Sequence, residues 1–123
     1  METKTYPRNN IVASGMEKEG GVTDISMKNM YSIIAEFGKP IKITLSYNET
    51  DWYCTTGTWL VNGIECYHTF TGFSWGYMGT GTIGLQLFFE RCGLMISPKE
   101  IGEMDKENPE PNEFMLRKDL TYQ

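Results

Sequence analysis

The chain has 123 residues, the size of one compact domain, and its composition of 40% hydrophobic and 22% charged residues is that of a globular protein. Its net charge of −5 disfavours a binder of duplex nucleic acid, which normally presents a basic face to the phosphates. No apolar run approaches the ~18 residues of a membrane span, and the polar N-terminus with three widely spaced cysteines (Cys54, Cys66 and Cys92) favours a cytoplasmic protein with free thiols.

The chain is expected to divide into a short leading segment and one domain. Residues 1–22 are polar and contain several turn-forming residues, so we expect an arm or loop there, with a short strand possible only at residues 11–13. Residues 23–123 are expected to form a single domain. Residues 105–113 within it are acidic and contain two prolines, which predicts a solvated loop.

The first predicted helix occupies about residues 24–37. Apolar residues recur there at steps of three and four, which places them on one face of a helix. Thr23 or Asp24 is expected to cap it, because a short side-chain oxygen accepts from the free N–H groups of the first turn. Gly38 and Pro40 are expected to end it.

A strand and a hairpin follow. Apolar and polar residues alternate over residues 41–47, which predicts a strand with one buried face. Asn62-Gly63 stands between two β-prone runs and predicts a two-residue type I′ turn, so that Trp59 faces Cys66 across the hairpin. The predicted core face of the hairpin carries Trp59, Val61, Ile64, Cys66, His68 and Phe70.

The aromatic residues 72–78 lead into a second predicted helix at about residues 82–92, ended by Gly93. Apolar residues cover nearly its whole circumference, so we expect it to be buried, either inside the domain or at the interface of a homo-oligomer. We expect a homo-oligomer.

A third, short helix is predicted after Ser97, because Pro98 and Glu100 complete a capping box with it. A last strand is expected around Phe114, Leu116 and Leu120. Together these elements predict an α+β fold: a small antiparallel sheet that contains the Asn-Gly hairpin, with two main helices packed on one face.

The pattern Gly79-x-Gly81-x-x-Gly84 precedes the second helix and locally matches a dinucleotide-binding turn. The flanking chain is too short for a Rossmann half, and no lysine follows the glycines as in a P-loop. Two interpretations stay open: an anion held by the first N–H groups of the helix, or a plain turn capped by Thr80 or Thr82. The predicted ligand-binding residues are Trp75, Tyr77, Gly79, Thr80, Gly81 and Thr82.

Catalysis and metal binding are not predicted. Cys66 and His68 share a strand face but are about 7 Å apart along it, too far for a nucleophile and its base. These residues and Cys92 lack the spacing of a zinc site. His68 is therefore expected to be satisfied in or beside the core, and we predict no catalytic residue, no metal and no cofactor.

One segment resembles a known family. This sequence matches the pattern F-x-W-G-Y-x-G-[ST]-G-P at Phe73, Trp75-Gly76-Tyr77 and Gly79-Thr80-Gly81. The bacterial and phage domain-of-unknown-function family 6166 has this pattern, followed by an apolar helix. The resemblance spans about 35 residues. Thr82 stands where the family usually has proline, and Gln86 interrupts the apolar helix. The resemblance implies a small α+β fold and a phage or mobile-element origin, a setting in which small proteins often act against host defence.

These observations favour a non-catalytic binding protein that sequesters a small anionic, nucleotide-like signalling molecule in the host cytoplasm. A base of the ligand would stack on Trp75 or Tyr77, and its phosphate would lie at the second helix. Neutralising bases would have to come from elsewhere in the chain, as Arg8, Lys28, Lys39 or Lys42, or from a neighbouring subunit. The alternative is a protein–protein inhibitor of a host defence enzyme, acting through an aromatic surface or the acidic segment.

Overall fold

The structure is a computed structural model that describes residues 10–116. Its elements are α1 (Thr23–Phe37), β1 (Lys42–Asn48), β2 (Trp52–Val61), β3 (Ile64–Phe70), α2 (Thr80–Arg91), α3 (Pro98–Gly102) and β4 (Glu113–Met115). The strands form a four-stranded antiparallel sheet in the order β3-β2-β1-β4. The predicted α+β class is confirmed, and the structure contains the two main helices.

One core joins the sheet to the two long helices. Alternate residues of the strands, such as Ile43, Leu45 and Phe70, pack in it with apolar residues of α1 and α2. Trp59 lies across Gly57 of its own strand, where a Cβ atom would come within 2.6 Å of the indole ring, and its Nε1 donates to Gly38 O over 2.8 Å. The hydrophobic alternation in the sequence therefore assigns the buried face of the sheet correctly.

The Asn-Gly hairpin has the predicted register. Asn62 and Gly63 have φ angles of 55° and 79°, and Val61 pairs with Ile64. The predicted core face is confirmed at Trp59 and Phe70, which are buried, whereas Ile64 is 55% exposed. Burial on this face thus decreases toward the turn.

The predicted caps of the first two helices are wrong. Val22 is the N-cap of α1, and the Thr23 hydroxyl instead donates to Gly72 O over 2.7 Å. Gly79 is the N-cap of α2, which begins at Thr80 without a side-chain cap. Threonine hydroxyls that could cap a helix locally are used here for contacts with other segments. The capping box of α3, between Ser97 and Glu100, is confirmed.

The segment before α1 packs against the domain. Ile11 and Ala13 are buried in the core, and the short strand considered at residues 11–13 is reduced to one parallel bridge between Asn10 and Tyr67. The last strand is confirmed at Phe114, and Leu120 lies outside the described residues.

Helix α2 is buried mainly within its own domain, although Ile83 is 41% exposed. Its apolar residues therefore need no second subunit to be covered, and the homo-oligomer stays a prediction. Among the described residues, no helix is long and apolar enough to cross a membrane.

Candidate functional site

An open cleft of about 890 Å³ lies where four segments meet. They are the loop 17–21, the start of β2, the end of β3 and the loop 71–79 together with the first turn of α2. The cleft lining includes Glu19, Trp52, His68, Ser74, Tyr77, Thr80 and Gly81. Three of them, Tyr77, Thr80 and Gly81, are predicted ligand-binding residues.

Glu19 anchors the loop wall of the cleft, although it is 94% buried and carries a charge. Its Oε1 accepts hydrogen bonds from Ser26 Oγ and from Thr71 N, the latter over 2.9 Å. Its Oε2 lies 2.9 Å from Asn29 Nδ2 and 2.6 Å from His68 Nε2. Because an ionised carboxylate only accepts, Nε2 carries the hydrogen. A buried charge is tolerated when its oxygens are satisfied in this way.

The protonation of Glu19 follows from the same contacts. Burial alone raises the pKa of a carboxyl group, but the hydrogen bonds from His68, Ser26, Asn29 and the Thr71 N–H outweigh it and lower the pKa of Glu19 below its usual value. Glu19 is therefore ionised at neutral pH. Its four donors come from α1, β3 and the loop after β3, so one carboxylate ties the loop 17–21 to three other parts of the fold.

The first turn of α2 presents hydrogen-bond donors at the other end of the cleft. The N–H groups of Thr82 and Ile83 donate to Gly79 O, whereas those of Thr80 and Gly81 have no acceptor within residues 10–116. A helix N-terminus also carries a partial positive charge. The N–H groups of this turn can donate hydrogen bonds to a negatively charged or carbonyl oxygen.

Ser74 adds a third donor beside that turn. The side chain is 95% buried and lines the cleft, and its hydroxyl has no hydrogen-bond partner in the described part of the chain. Its N–H donates to Gly81 O over 3.2 Å, which holds the loop against α2. Buried hydroxyl groups are nearly always paired, so an unpaired one lining a cleft points to a missing partner.

The glycines of the turn have a packing role. A Cβ atom at Gly81 would collide with Ser74 Oγ and lie 3.1 Å from Gly72 O. A Cβ at Gly84 would lie 2.8 Å from Thr23 and 2.9 Å from Phe73. Glycine at these two positions therefore lets α2 approach the loop and α1 closely, so valine at Gly81 would disturb the fold as well as any ligand.

The remaining predicted site residues are distributed unevenly. Trp75 is completely buried, and its Nε1 donates to Lys106 O over 2.9 Å, so it presents no ring face to a ligand. Thr82 is also buried, and its hydroxyl donates to Tyr77 O over 2.6 Å. Gly79 is the N-cap of α2, next to the cleft. Tyr77 is 50% exposed and lines the cleft. Trp75 and Thr82 are thus buried next to the cleft and contribute to its packing, not to its surface.

The cleft is not basic. Its lining contains Glu17, Glu19 and Asp51 against one lysine, Lys18. Glu17 forms an ion pair with Lys28 at the surface. Of the bases that the sequence offered, Lys28, Lys39 and Lys42 do not line the cleft, and Arg8 lies outside the described residues.

None of the three cysteines forms a disulfide, as the sequence predicts. No group of side chains suited to a metal ion occurs among residues 10–116. Burial raises the pKa of the Cys92 thiol to about 12, so this cysteine is not reactive. His68 is engaged by Glu19 and packs edge-on against Phe70 at 4.5 Å between ring centroids. It is satisfied beside the core, as the sequence predicts.

Glu19 and Trp52 are not among the site residues that the sequence predicts. Glu19 lies in a polar segment in which nothing distinguishes a buried glutamate from a solvated one, since its partners are seven to 52 residues away. Trp52 follows Asn48-Glu49-Thr50-Asp51, a turn-like sequence, and a tryptophan directly after such a turn is a signal that could have been used.

Comparisons with protein-family models, with curated proteins and with solved structures found no match for this chain. The resemblance of about 35 residues to family 6166 therefore stays a prediction.

Proposed function

We propose that the protein is a non-catalytic binding protein for a small nucleotide-like ligand, which it holds in the cleft between the loop 17–21 and α2. The observation that carries this proposal is the buried, unpartnered hydroxyl of Ser74 beside the free N–H groups of Thr80 and Gly81. Two N–H groups at a helix N-terminus and a neighbouring hydroxyl are donors of the kind that bind phosphate oxygens.

The charge of the cleft limits the ligand. Three carboxylates face a single lysine in the lining, so a group with several negative charges would meet repulsion. A phosphodiester carries one negative charge, whereas a terminal phosphate carries nearly two at neutral pH. The sugar hydroxyls of a nucleotide can donate hydrogen bonds, and carboxylates accept hydrogen bonds. A cyclic nucleotide therefore fits better than a nucleoside triphosphate.

In the proposed binding protein, Glu19 and His68 have a structural role and do not act on the ligand. The two oxygens of Glu19 accept from four donors, and the Nε2–H of His68 is one of these, so the pair is committed to holding the cleft together. The resemblance to family 6166 supplies the biological role that we propose, which is removal of a signalling nucleotide in a phage-infected cell.

The test is a substitution that removes one donor without disturbing the helix. Thr80 is the first residue of α2, where proline is favoured, and Gly79 before it is extended, outside the α region that a following proline disfavours. Thr80→Pro thus deletes the N–H, and Thr80→Ala keeps it. Calorimetry with 3′,5′-cyclic AMP should give an affinity about tenfold or more lower for Thr80→Pro.

The control variant Thr80→Ala should bind as the parent does, and both variants should keep the parental melting temperature. Equal affinity of Thr80→Pro and Thr80→Ala would show that the α2 N-terminus does not hold the phosphate. A parent protein that binds neither cyclic AMP nor cyclic GMP at millimolar concentration would contradict the proposed ligand class.

A second candidate is a protein–protein inhibitor, favoured by the exposed apolar side chains of Trp52, Tyr77 and Met78. The acidic segment is less suited to docking as a tail, because it connects α3 to β4, Pro109 in it is buried, and Lys106 O accepts from Trp75. Truncation after Asp105 would remove β4. Substitution of Glu107 and Glu110 by Gln tests the acidic surface instead, and a host enzyme bound through it would lose affinity.

A further inference from the structure

We propose that Trp52 is the platform on which the planar heterocycle of the ligand stacks. This inference deepens the proposed function, because it assigns the ring-binding half of the same cleft. The sequence assigns that role to Trp75, whose ring the fold buries completely.

Trp52 is the only tryptophan with a free ring face. The chain has three tryptophans, and Trp59 and Trp75 are 1% and 0% exposed. Trp52 is 63% exposed and lines the cleft. Tyr77, which is 50% exposed, lines the same cleft, so two aromatic side chains border the space that a ligand would fill.

The backbone at Trp52 is in an unusual conformation for such a residue. Its φ is +64°, in the left-handed region that glycine and asparagine tolerate and bulky residues avoid. Trp52 closes the three-residue connection between β1 and β2, where Asn48 pairs with it. The Asn48 side chain sets the turn, since its Oδ1 accepts from Thr50 N over 2.9 Å and from Asp51 N over 2.6 Å.

Folding alone does not explain a tryptophan at this position. An exposed ring gains little from burial, and the left-handed conformation costs more for tryptophan than for glycine or asparagine. The same chain uses asparagine at the other non-glycine position of positive φ in residues 10–116, Asn62. A residue that is unfavourable for the turn and contributes little to the core is expected to be kept for what its ring contacts.

The ring and its surroundings select a planar heterocycle. A base stacks on the face of an indole, and the Asp51 side chain, next to Trp52 in the chain, also lines the cleft. Adenosine, which has a base and a sugar but no phosphate, is therefore the probe for this half of the cleft.

The experiment uses Trp52→Asn, Trp52→Phe and, as a control at the remote hairpin, Asn62→Gly. Asparagine tolerates the left-handed conformation, so Trp52→Asn should melt no lower than the parent. Its affinity for adenosine and for 3′,5′-cyclic AMP in calorimetry should decrease by the same factor, about 5- to 150-fold. Trp52→Phe should keep most of the affinity, and Asn62→Gly should keep all of it.

Fluorescence provides a second readout. Acrylamide should quench mainly Trp52 in the parent, because the other two tryptophans are buried, and saturating adenosine should protect it. Unchanged quenching on addition of adenosine, or parental adenosine affinity of Trp52→Asn, would overturn the inference.

The two proposals fail in different ways. Thr80→Pro should weaken the binding of cyclic AMP and leave the binding of adenosine unchanged, because adenosine has no phosphate. Suppose that adenosine binding depends on Trp52 but that Thr80→Pro does not change the affinity for cyclic AMP. This result would support the Trp52 platform and contradict the phosphate site. A parent that binds neither probe would overturn both.

Discussion

The two ends of β2 are built on different principles. At one end the strand enters the Asn62-Gly63 turn, where both residues suit a positive φ and the pairing follows from the turn itself. At the other end it starts at Trp52, which has a positive φ against its own preference and borders the cleft. A turn whose residues match its geometry serves the fold. The other turn, whose tryptophan does not match its geometry and is exposed, borders the site that we propose.

The cleft end depends on one buried charge, and its removal should have the largest effect on stability. Glu19→Ala leaves four donors without their acceptor, so we expect the free energy of unfolding to decrease by about 3 kcal/mol. Urea unfolding measures this change. Glu17→Ala is the matched control, because the half-exposed pair of Glu17 and Lys28 should contribute less than about 1 kcal/mol. Equal losses in the two variants would mean that the Glu19 contacts contribute no more than a surface ion pair.

The hairpin end should be sensitive to backbone conformation and not to side-chain contacts. Gly63 has a φ of 79° and no heavy atom within 4 Å of the position of a Cβ. Gly63→Val should therefore destabilise the protein by about 1–3 kcal/mol through backbone strain alone. Gly63→Asn should destabilise the protein much less, because asparagine tolerates a positive φ. Comparing the melting temperatures of the two variants therefore separates backbone strain from the mere loss of glycine. A valine variant with the parental melting temperature would contradict the type I′ turn.

The smallest expected effect concerns pH. The pKa of Glu19 is lowered in the folded protein, so its contribution to stability is fully present above the pKa of the unfolded chain and is lost as the pH falls through the folded value. The parent should lose more stability between pH 7 and pH 3 than Glu19→Gln does. Urea unfolding at both pH values gives this difference. An equal loss in parent and variant would show that other carboxyl groups control acid unfolding.

The candidate site shows how far local reasoning reaches. Tyr77, Thr80 and Gly81 follow from their position before a helix, and the structure places all three at the cleft. Trp75 follows from the same pattern, yet it is buried against Lys106 O. Exposure depends on what other segments cover, so a run of aromatic residues does not reveal which ring faces a ligand.

The sequence by itself determined the features that arise from neighbouring residues. They are the period of α1 and β1, the Asn-Gly register, the end of α1 at Gly38 and the capping box at Ser97. Each depends on φ preferences or on contacts within about four residues, which the order of amino acids specifies directly.

Only the tertiary structure decided how Glu19, Ser26, His68 and Thr71 meet, and that Thr23 bonds to Gly72 and not to its own helix. The partners of these groups are far apart in the chain, and a polar side chain can be satisfied equally well by water, by its own helix or by a distant segment. The choice among these is made when the segments pack, because packing removes the water and leaves each buried polar atom only the partners that the fold brings to it.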